Sequence, residues 1–368
     1  MKFQSYFMGI LDTIITNRQN VNLLEFKPEE TLREILNLVE KERDKKILRH
    51  RYGLENHEEK TLAAIGQEHN LTRERVRQIE KDILKHLKKN AAKSDSFNKA
   101  KEFLLNLVAE HGRVIAEENL LLRLNLQSTS ERNAVIFLLH LVEELDNFIH
   151  ENFKKAWVYV LFNKDFLNKT TEVSKQILES SKKPMASEDF LKHFKETEFY
   201  RENQNELTDK IILNFLALTL EIEKNVFEEW GLNTWKEIKP RDVGDKAYLV
   251  MKNTKKPLHY GEITEAINKA GFDTRKAFKE TVHNELIKDS RFVLVGRGIY
   301  ALSEWGYKPG VVSDVIKEVL VSSGQPLSRD KIIEEVLKRR MVKKNTILVG
   351  LSNRKLFTKV GRNLYSLV

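Results

Sequence analysis

The strongest constraint on the fold of residues 95–368 is a four-fold internal repeat. A helical pattern followed by a short basic or polar turn recurs as HGRVI at 111–115, KKPMA at 182–186, KKPLH at 255–259 and GQPLS at 324–328, with a spacing near 70 each time. Repeats of that length are small supersecondary units set in tandem rather than one large core. A chain of 368 residues has room for several of them. After each turn the apolar spacing suits a pair of helices, and each unit then closes in a short strand-like segment with an aromatic residue. These are Trp157 in AWVYV, Trp235 in NTWKEI, Tyr300 in GIYALSEW and Tyr365 in NLYSLV. In the last two units the closing segment is a hairpin, RFVLVGRGIYAL and LFTKVGRNLYSL, with alternating apolar residues around a Gly-containing turn. Pro184, Pro257 and Pro326 sit in the repeated turns, while Pro240 and Pro309 fall between units.

Three helices and a β-hairpin make a winged helix. The expected fold class is therefore mainly α: an N-terminal helix-turn-helix followed by tandem winged-helix units with small β-hairpin wings. The expected boundaries are an amphipathic helix over 1–23, the helix-turn-helix over 24–92, winged-helix-like units over 95–165, 166–240 and 241–308, and a basic one over 309–368.

Composition narrows the function classes. Hydrophobic residues make up 41% and charged residues 32%, which suits surface-rich globular units, and no run approaches the roughly eighteen apolar residues of a membrane span. The N-terminal MKFQSYFMGILDTIITNRQ has one Lys before its apolar stretch, Asp12 within it and no small-residue cleavage site, so it reads as a helix and not a signal peptide. The absence of Cys removes zinc fingers, thiol catalysis and disulfides, and suits a reducing compartment. The ten His are scattered, without the close His and carboxylate spacings of a metal motif, so no metal, cofactor or small-molecule ligand is expected. The expected location is cytoplasmic and nucleoid-associated.

The net charge of +9 is unevenly placed. Residues 41–93 hold 15 Lys and Arg against 9 Asp and Glu, residues 309–368 hold 12 against 5, and the rest of the chain is slightly acidic. Two basic segments are the electrostatic footprint expected for a polyanion such as DNA.

The first basic segment contains TLAAIGQEHNLTRERVRQIEKDILKHLKK, the pattern of two helices joined by a tight turn. Leu62, Ala63 and Ile65 mark the first helix, Asn70 tolerates a left-handed turn conformation, and Thr72 is the N-cap of the second helix. Val76, Ile79, Ile83, Leu84 and Leu87 recur at helical spacing as the buried stripe. The opposite face carries Arg73, Glu74, Arg77, Gln78 and Lys81 near the N-terminal end, where a recognition helix meets base edges. Arg suits guanine, Gln adenine, Glu cytosine, and Lys phosphates. Thr72 and Arg75 flank this set.

The stretch ILRHRYGLENHEEKTLAAIGQEHNLTRERVRQIEKDILKHLKK, from Ile47 to Lys89, resembles region four of primary-type bacterial sigma factors, with its RYGL turn, TLxxIG and TRERVRQIE. With the preceding helix the resemblance covers about residues 24–91. It implies a module that reads the minus-thirty-five promoter element and docks on the flap of the RNA polymerase β subunit. Only about 23 residues precede it in this sequence, too few for the module with which a sigma factor binds the polymerase clamp and captures melted DNA. The expectation is thus a regulator with a sigma-type reader.

Residues 241–307 resemble a HARE-type helix-turn-helix, on the KPLHYGEI turn, a helix started at Thr274 and the GxYALSEWG ending. Modules of that type occur in the δ subunit of some bacterial RNA polymerases and in several chromatin and restriction proteins. In this unit Arg275, Lys276 and Lys279 on the helix and Arg297 at the hairpin tip are secondary DNA-binding candidates. In the fourth unit Lys343, Lys344, Asn345 and Thr346 open the recognition helix, and Arg354, Lys355, Lys359 and Arg362 decorate the wing.

Three functions are weighed. The first is a sequence-specific transcription factor acting on double-stranded DNA with RNA polymerase. The second is an interaction protein that occupies the polymerase site of sigma region four with little DNA reading. The third is an enzyme such as a nuclease. No Walker loop, nucleophile elbow, zincin pair or carboxylate cluster followed by Lys is present, so the chain is expected not to be an enzyme.

Overall fold

The computed structural model describes residues 26–54, 58–307, 310–340 and 344–368; the expected helix over 1–23 and the linker Pro309 lie outside them. By its internal contacts the chain divides into two compact units: residues up to Ser180 with Glu188–Glu223, and Ser181–Ser187 with Lys224–Val368.

The first unit begins with four helices. Helix α1 (Pro28–Asn37) starts on proline, which needs no N–H in the first turn, with Glu29 and Glu30 beside the positive end of the helix dipole. Helix α2 (Glu42–Arg51) opens on acids and closes on Arg49, His50 and Arg51, the favourable sense for both ends. Helices α3 (Leu62–His69) and α4 (Arg73–Ala91) form the helix-turn-helix. Thr61 and Thr72 each cap a helix, accepting from Ala64 N at 3.2 Å and Arg75 N at 3.1 Å. Asn70 takes the left-handed conformation at φ 55°, as its short polar side chain allows. Val76, Ile79, Ile83 and Leu87 are buried and Leu84 is half-buried, so the expected stripe is the packing face of α4.

The first winged helix follows: α5 (Asp95–Ala109), β1 (Val114–Ala116), α6 (Glu117–Arg123), α7 (Thr129–Leu141), β2 (Leu145–His150) and β3 (Phe153–Tyr159). Its hydrophobic core is not separate from that of the helix-turn-helix. Ile35, Ile47, Ile65 and Ile83 belong to the same buried cluster as Phe137, Leu138, Ile115 and Trp157, and α7 packs on both α1 and α4. The expected boundary near residues 92–95 is a capped turn, Ser94 accepting from Phe97 N, over a continuous core. The three-stranded sheet is buried on both faces. Ile115 and Trp157 face the shared core, while Val114, Ala116, Ala156 and Val158 face a second cluster with Leu167, Phe215 and Leu218. The period of two along each strand thus supplies two cores, and all three residues of β1 are buried.

The second winged helix comprises α8 (Lys164–Ser181), β4 (Met185–Ala186), α9 (Ser187–Lys195), α10 (Glu198–Asn203), α11 (Asp209–Leu218), β5 (Ile222–Lys224) and β6 (Glu229–Leu232). The third comprises α12 (Val243–Thr254), β7 (Leu258–His259), α13 (Tyr260–Ala270), α14 (Lys279–Lys288), β8 (Phe292–Gly296) and β9 (Ile299–Leu302), and ends in a 3₁₀ turn, Ser303–Trp305. The fourth comprises α15 (Val312–Ser323), β10 (Leu327–Ser328), α16 (Arg329–Arg339), α17 (Lys344–Leu351), β11 (Phe357–Gly361) and β12 (Leu364–Leu367).

All four sheets have the same order, first strand, third strand, second strand. The repeated turn has a common physical basis. Arg113, Lys182, Lys255 and Gly324 all take positive φ, reversing the chain out of the preceding helix into the short first strand. In each unit that strand then sets an aliphatic residue opposite the closing aromatic: Ile115 with Trp157, Met185 with Trp230, Leu258 with Tyr300, Leu327 with Tyr365.

Two expectations are corrected here. The closing aromatic of the second unit is Trp230 and not Trp235. The strand ends at Leu232 because Trp235 N turns back to Leu232 O at 2.9 Å, and the bare Cα of Gly231 admits Ile238 and the Trp235 ring. The helix expected to start at Thr274 starts at Lys279. Asp273 Oδ1 accepts from Arg275 N at 2.9 Å, and the Asn268 side chain bonds both Ala277 N and Ala277 O, holding residues 273–277 in an irregular path that a helix would break.

Candidate nucleic-acid interface

Helix α4 presents the seven expected residues on one side. Thr72, Arg73, Glu74, Arg75, Arg77, Gln78 and Lys81 are all exposed, and the buried stripe lies opposite. Two i,i+3 pairs order this surface. The Glu74 carboxylate accepts from Arg77 Nε at 2.9 Å and Nη2 at 2.6 Å, and Arg75 Nη1 donates to Gln78 Oε1 at 3.3 Å. The Arg77 hydrogen bonds hold the Glu74 carboxyl below its usual range. Exposed pairs of this kind add little stability, but they restrict the rotamers of side chains that would otherwise be ordered only on binding.

Glu80, on the same helix, has another task. It accepts from Tyr52 Oη at 3.1 Å and stands 3.4 Å from Arg51 Nε, tying α4 to the RYGL turn. Burial, followed by the Glu80 charge, raises the Tyr52 phenol well above its ordinary value, so it remains a neutral donor.

A basic edge beyond the expected residues runs beside the readers. Arg77, Lys81, Lys85 and Lys88 line one open groove with His140 and Glu143 of the first winged helix. Their three- and four-residue spacing puts them on one side of the helix, a signal present in the sequence but lying past Lys81, where the expected set stops. A row of this kind suits successive phosphates of one DNA strand.

In the third winged helix Arg275, Lys276, Lys279 and Arg297 are exposed. Only Lys279 is on α14; Arg275 and Lys276 lie in the loop before it, and Arg297 is at the hairpin tip. In the fourth, Lys344, Asn345 and Thr346 open α17 and are exposed, whereas Lys343 lies outside the described residues. Lys359 and Arg362 are on the wing. Arg354 and Lys355 instead occupy the turn before it, because Asn353 accepts Lys355 N on its side chain and Leu356 N and Phe357 N on its carbonyl, delaying the strand to Phe357.

Comparison with known proteins agrees with this geometry. Residues 41–89 match the family described as Sigma-70, region 4, and residues 241–305 match the HARE-HTH family, a helix-turn-helix domain described from ASXL and restriction endonuclease proteins. Among curated relatives, the RNA polymerase principal sigma factor HrdD of Streptomyces viridifaciens is 35% identical over 88 residues, 24% of this chain and 26% of the relative. HrdD of Streptomyces coelicolor is 56% identical over 45 residues, 12% of this chain and 14% of the relative. The sigma factor SigA of Clostridium acetobutylicum is 45% identical over 60 residues, 16% of each chain. The similarity thus spans about a quarter or less of those relatives. Among the described residues no helix is long and apolar enough to cross a membrane.

Proposed function

We propose that this chain is a sequence-specific double-stranded-DNA-binding transcription factor whose sigma-like helix-turn-helix selects a promoter element in concert with bacterial RNA polymerase through the β flap. The observation that carries this reading is the exposed face of α4. Arg73, Glu74, Arg77 and Gln78 stand together at the helix end next to its Thr72 cap, within the segment similar to sigma region four. Arg77 and Gln78 supply base-edge contacts, and Lys81, Lys85 and Lys88 neutralise phosphates along the flanking strand. The third and fourth winged helices add phosphate contacts through Arg297, Lys359 and Arg362. Several weakly binding modules on one chain gain affinity through effective concentration. The reading includes no catalytic step and places the protein in the cytoplasm, with the nucleoid.

The test is co-purification of tagged protein with core RNA polymerase, followed by genome-wide mapping of its DNA sites in wild type and in an Arg77→Ala, Gln78→Ala double variant. Polymerase association with a promoter-centred motif that the variant loses is the expected result. Polymerase association with a featureless map in wild type and variant alike would replace the reader with a protein that occupies the sigma region-four site.

A further inference from the structure

We propose that His50, Glu68 and His69 form a binding site for a divalent transition-metal ion of the zinc type. The three residues come from the last turns of α2 and α3, and one ligand atom from each lies within 4.8 Å of the other two. Zinc ligands bound at about 2.0–2.2 Å stand about 3.4 Å apart in a tetrahedron, a distance reached by small side-chain rotations. Two imidazoles and one carboxylate leave a fourth position for water, and imidazole nitrogens favour zinc, copper or nickel over calcium or magnesium.

The hydrogen bonding around the cluster points to the same ligand. His69 Nε2 is shielded from solvent and has no hydrogen-bond partner among the described residues. His50 Nδ1 is shielded too; it stands 2.9 Å from Glu68 Oε2 without the geometry of a hydrogen bond. Buried imidazole nitrogens are ordinarily satisfied. A cation between the two rings and the carboxylate would satisfy both at once and neutralise the Glu68 charge. The other Glu68 oxygen is held by Lys60 Nζ at 2.5 Å, and Lys60 N donates to His50 O at 2.8 Å. The carboxylate is therefore oriented from outside the cluster, as metal-binding carboxylates are. The sequence gives no metal motif because the ligands are 18 residues apart and meet only when α2 crosses α3.

An ion here would clamp α2 to the end of α3, immediately before the Asn70 turn that aims α4. Binding is independent of what the α4 face recognises. The test uses untagged full-length protein: titration calorimetry with zinc, thermal unfolding with zinc and with chelator, and zinc X-ray absorption of the loaded wild type. These are repeated with His50→Ala, His69→Ala and Glu68→Gln. The expected result is one zinc per chain, a raised unfolding temperature, an absorption spectrum with two imidazole ligands, and affinity weakened at least about tenfold in each histidine variant. Absence of zinc uptake by wild type at micromolar concentrations, or uptake undiminished in both histidine variants, would overturn the proposal. Should the variants fail to fold, the wild-type spectrum decides it, a coordination shell without two imidazoles counting against the site.

Discussion

The side-chain amide of Asn133, in the first winged helix, donates to the carbonyl of Gly53 in the RYGL turn at 2.9 Å, across 80 residues of sequence. Beside it Phe137 meets Tyr52 edge to face, with ring centroids 5.1 Å apart. Tyr52 in turn holds Glu80 of the recognition helix. The direction in which α4 points is therefore set by a neighbouring winged helix as well as by its own helix-turn-helix. Asn133→Ala leaves a buried carbonyl without a donor and is expected to cost about 1–3 kcal/mol, read as a lower urea midpoint at unchanged slope. Native-state hydrogen exchange should show Ile83 and Phe137 opening together; separate openings would mean that the shared core does not unfold as one.

Gly66 is the residue on which the tight turn depends. A Cβ there would stand 2.6 Å from the carbonyl oxygen of Leu71, and Leu71 N already bonds Gly66 O at 2.8 Å. Gly66→Ala must push the turn apart, with an expected cost of about 1–3 kcal/mol and loss of DNA binding out of proportion to it. An alanine variant with wild-type stability and affinity would show that the close approach is dispensable.

The two kinds of contact assigned to α4 separate by salt. Arg77→Ala and Gln78→Ala should each relax base preference by about 1–3 kcal/mol at one position. Lys85→Ala and Lys88→Ala should weaken binding to all sequences and each reduce the slope of log affinity against log salt by about 1. Fluorescence anisotropy over a salt series distinguishes the patterns, and equal effects of the lysine variants on cognate and scrambled DNA are the diagnostic result.

Two histidines predict an acid sensitivity. Burial lowers His140 to about 4, with Lys155 and Lys88 adding repulsion, and burial likewise lowers His111 to about 4. His111 Nδ1 bonds Leu107 O at 2.7 Å, while Nε2 has no partner among the described residues. Between pH 6.5 and 4 the unfolded chain binds these protons and the folded chain does not. Stability is therefore full above about pH 7 and falls as the pH drops through this window, by up to about 1.4 kcal/mol per pH unit for each histidine. His140→Phe keeps a ring against Tyr52 and Trp157 and should flatten the profile; an unchanged slope between pH 6.5 and 5 would remove His140 from the account.

The parts legible in the sequence are those fixed by neighbours along the chain. Thr61 and Thr72 could cap only the helices that follow them, Asn70 could turn left-handed between them, and Val76, Ile79, Ile83 and Leu87 could share only one face of a helix. The repeated turn belongs to the same class, because a positive-φ residue followed by a short strand is a local event whatever the rest of the chain does. The readers on α4 are legible for this reason, since a solvent-facing set on an amphipathic helix is the complement of its buried stripe.

Where distant segments compete for one space, tertiary structure decided. Trp230 and not Trp235 became the closing aromatic because Gly231 left room for the turn that follows it. Residues 273–277 stayed irregular because Asn268, on the preceding helix, bonds Ala277 at both its N–H and its carbonyl. His50 met His69, and Asn133 met Gly53, only through the crossing of helices whose own periodicities carry no record of the partner. Periodicity and caps specify which face of an element is apolar, whereas the identity of the surface that covers it depends on packing the whole volume at once.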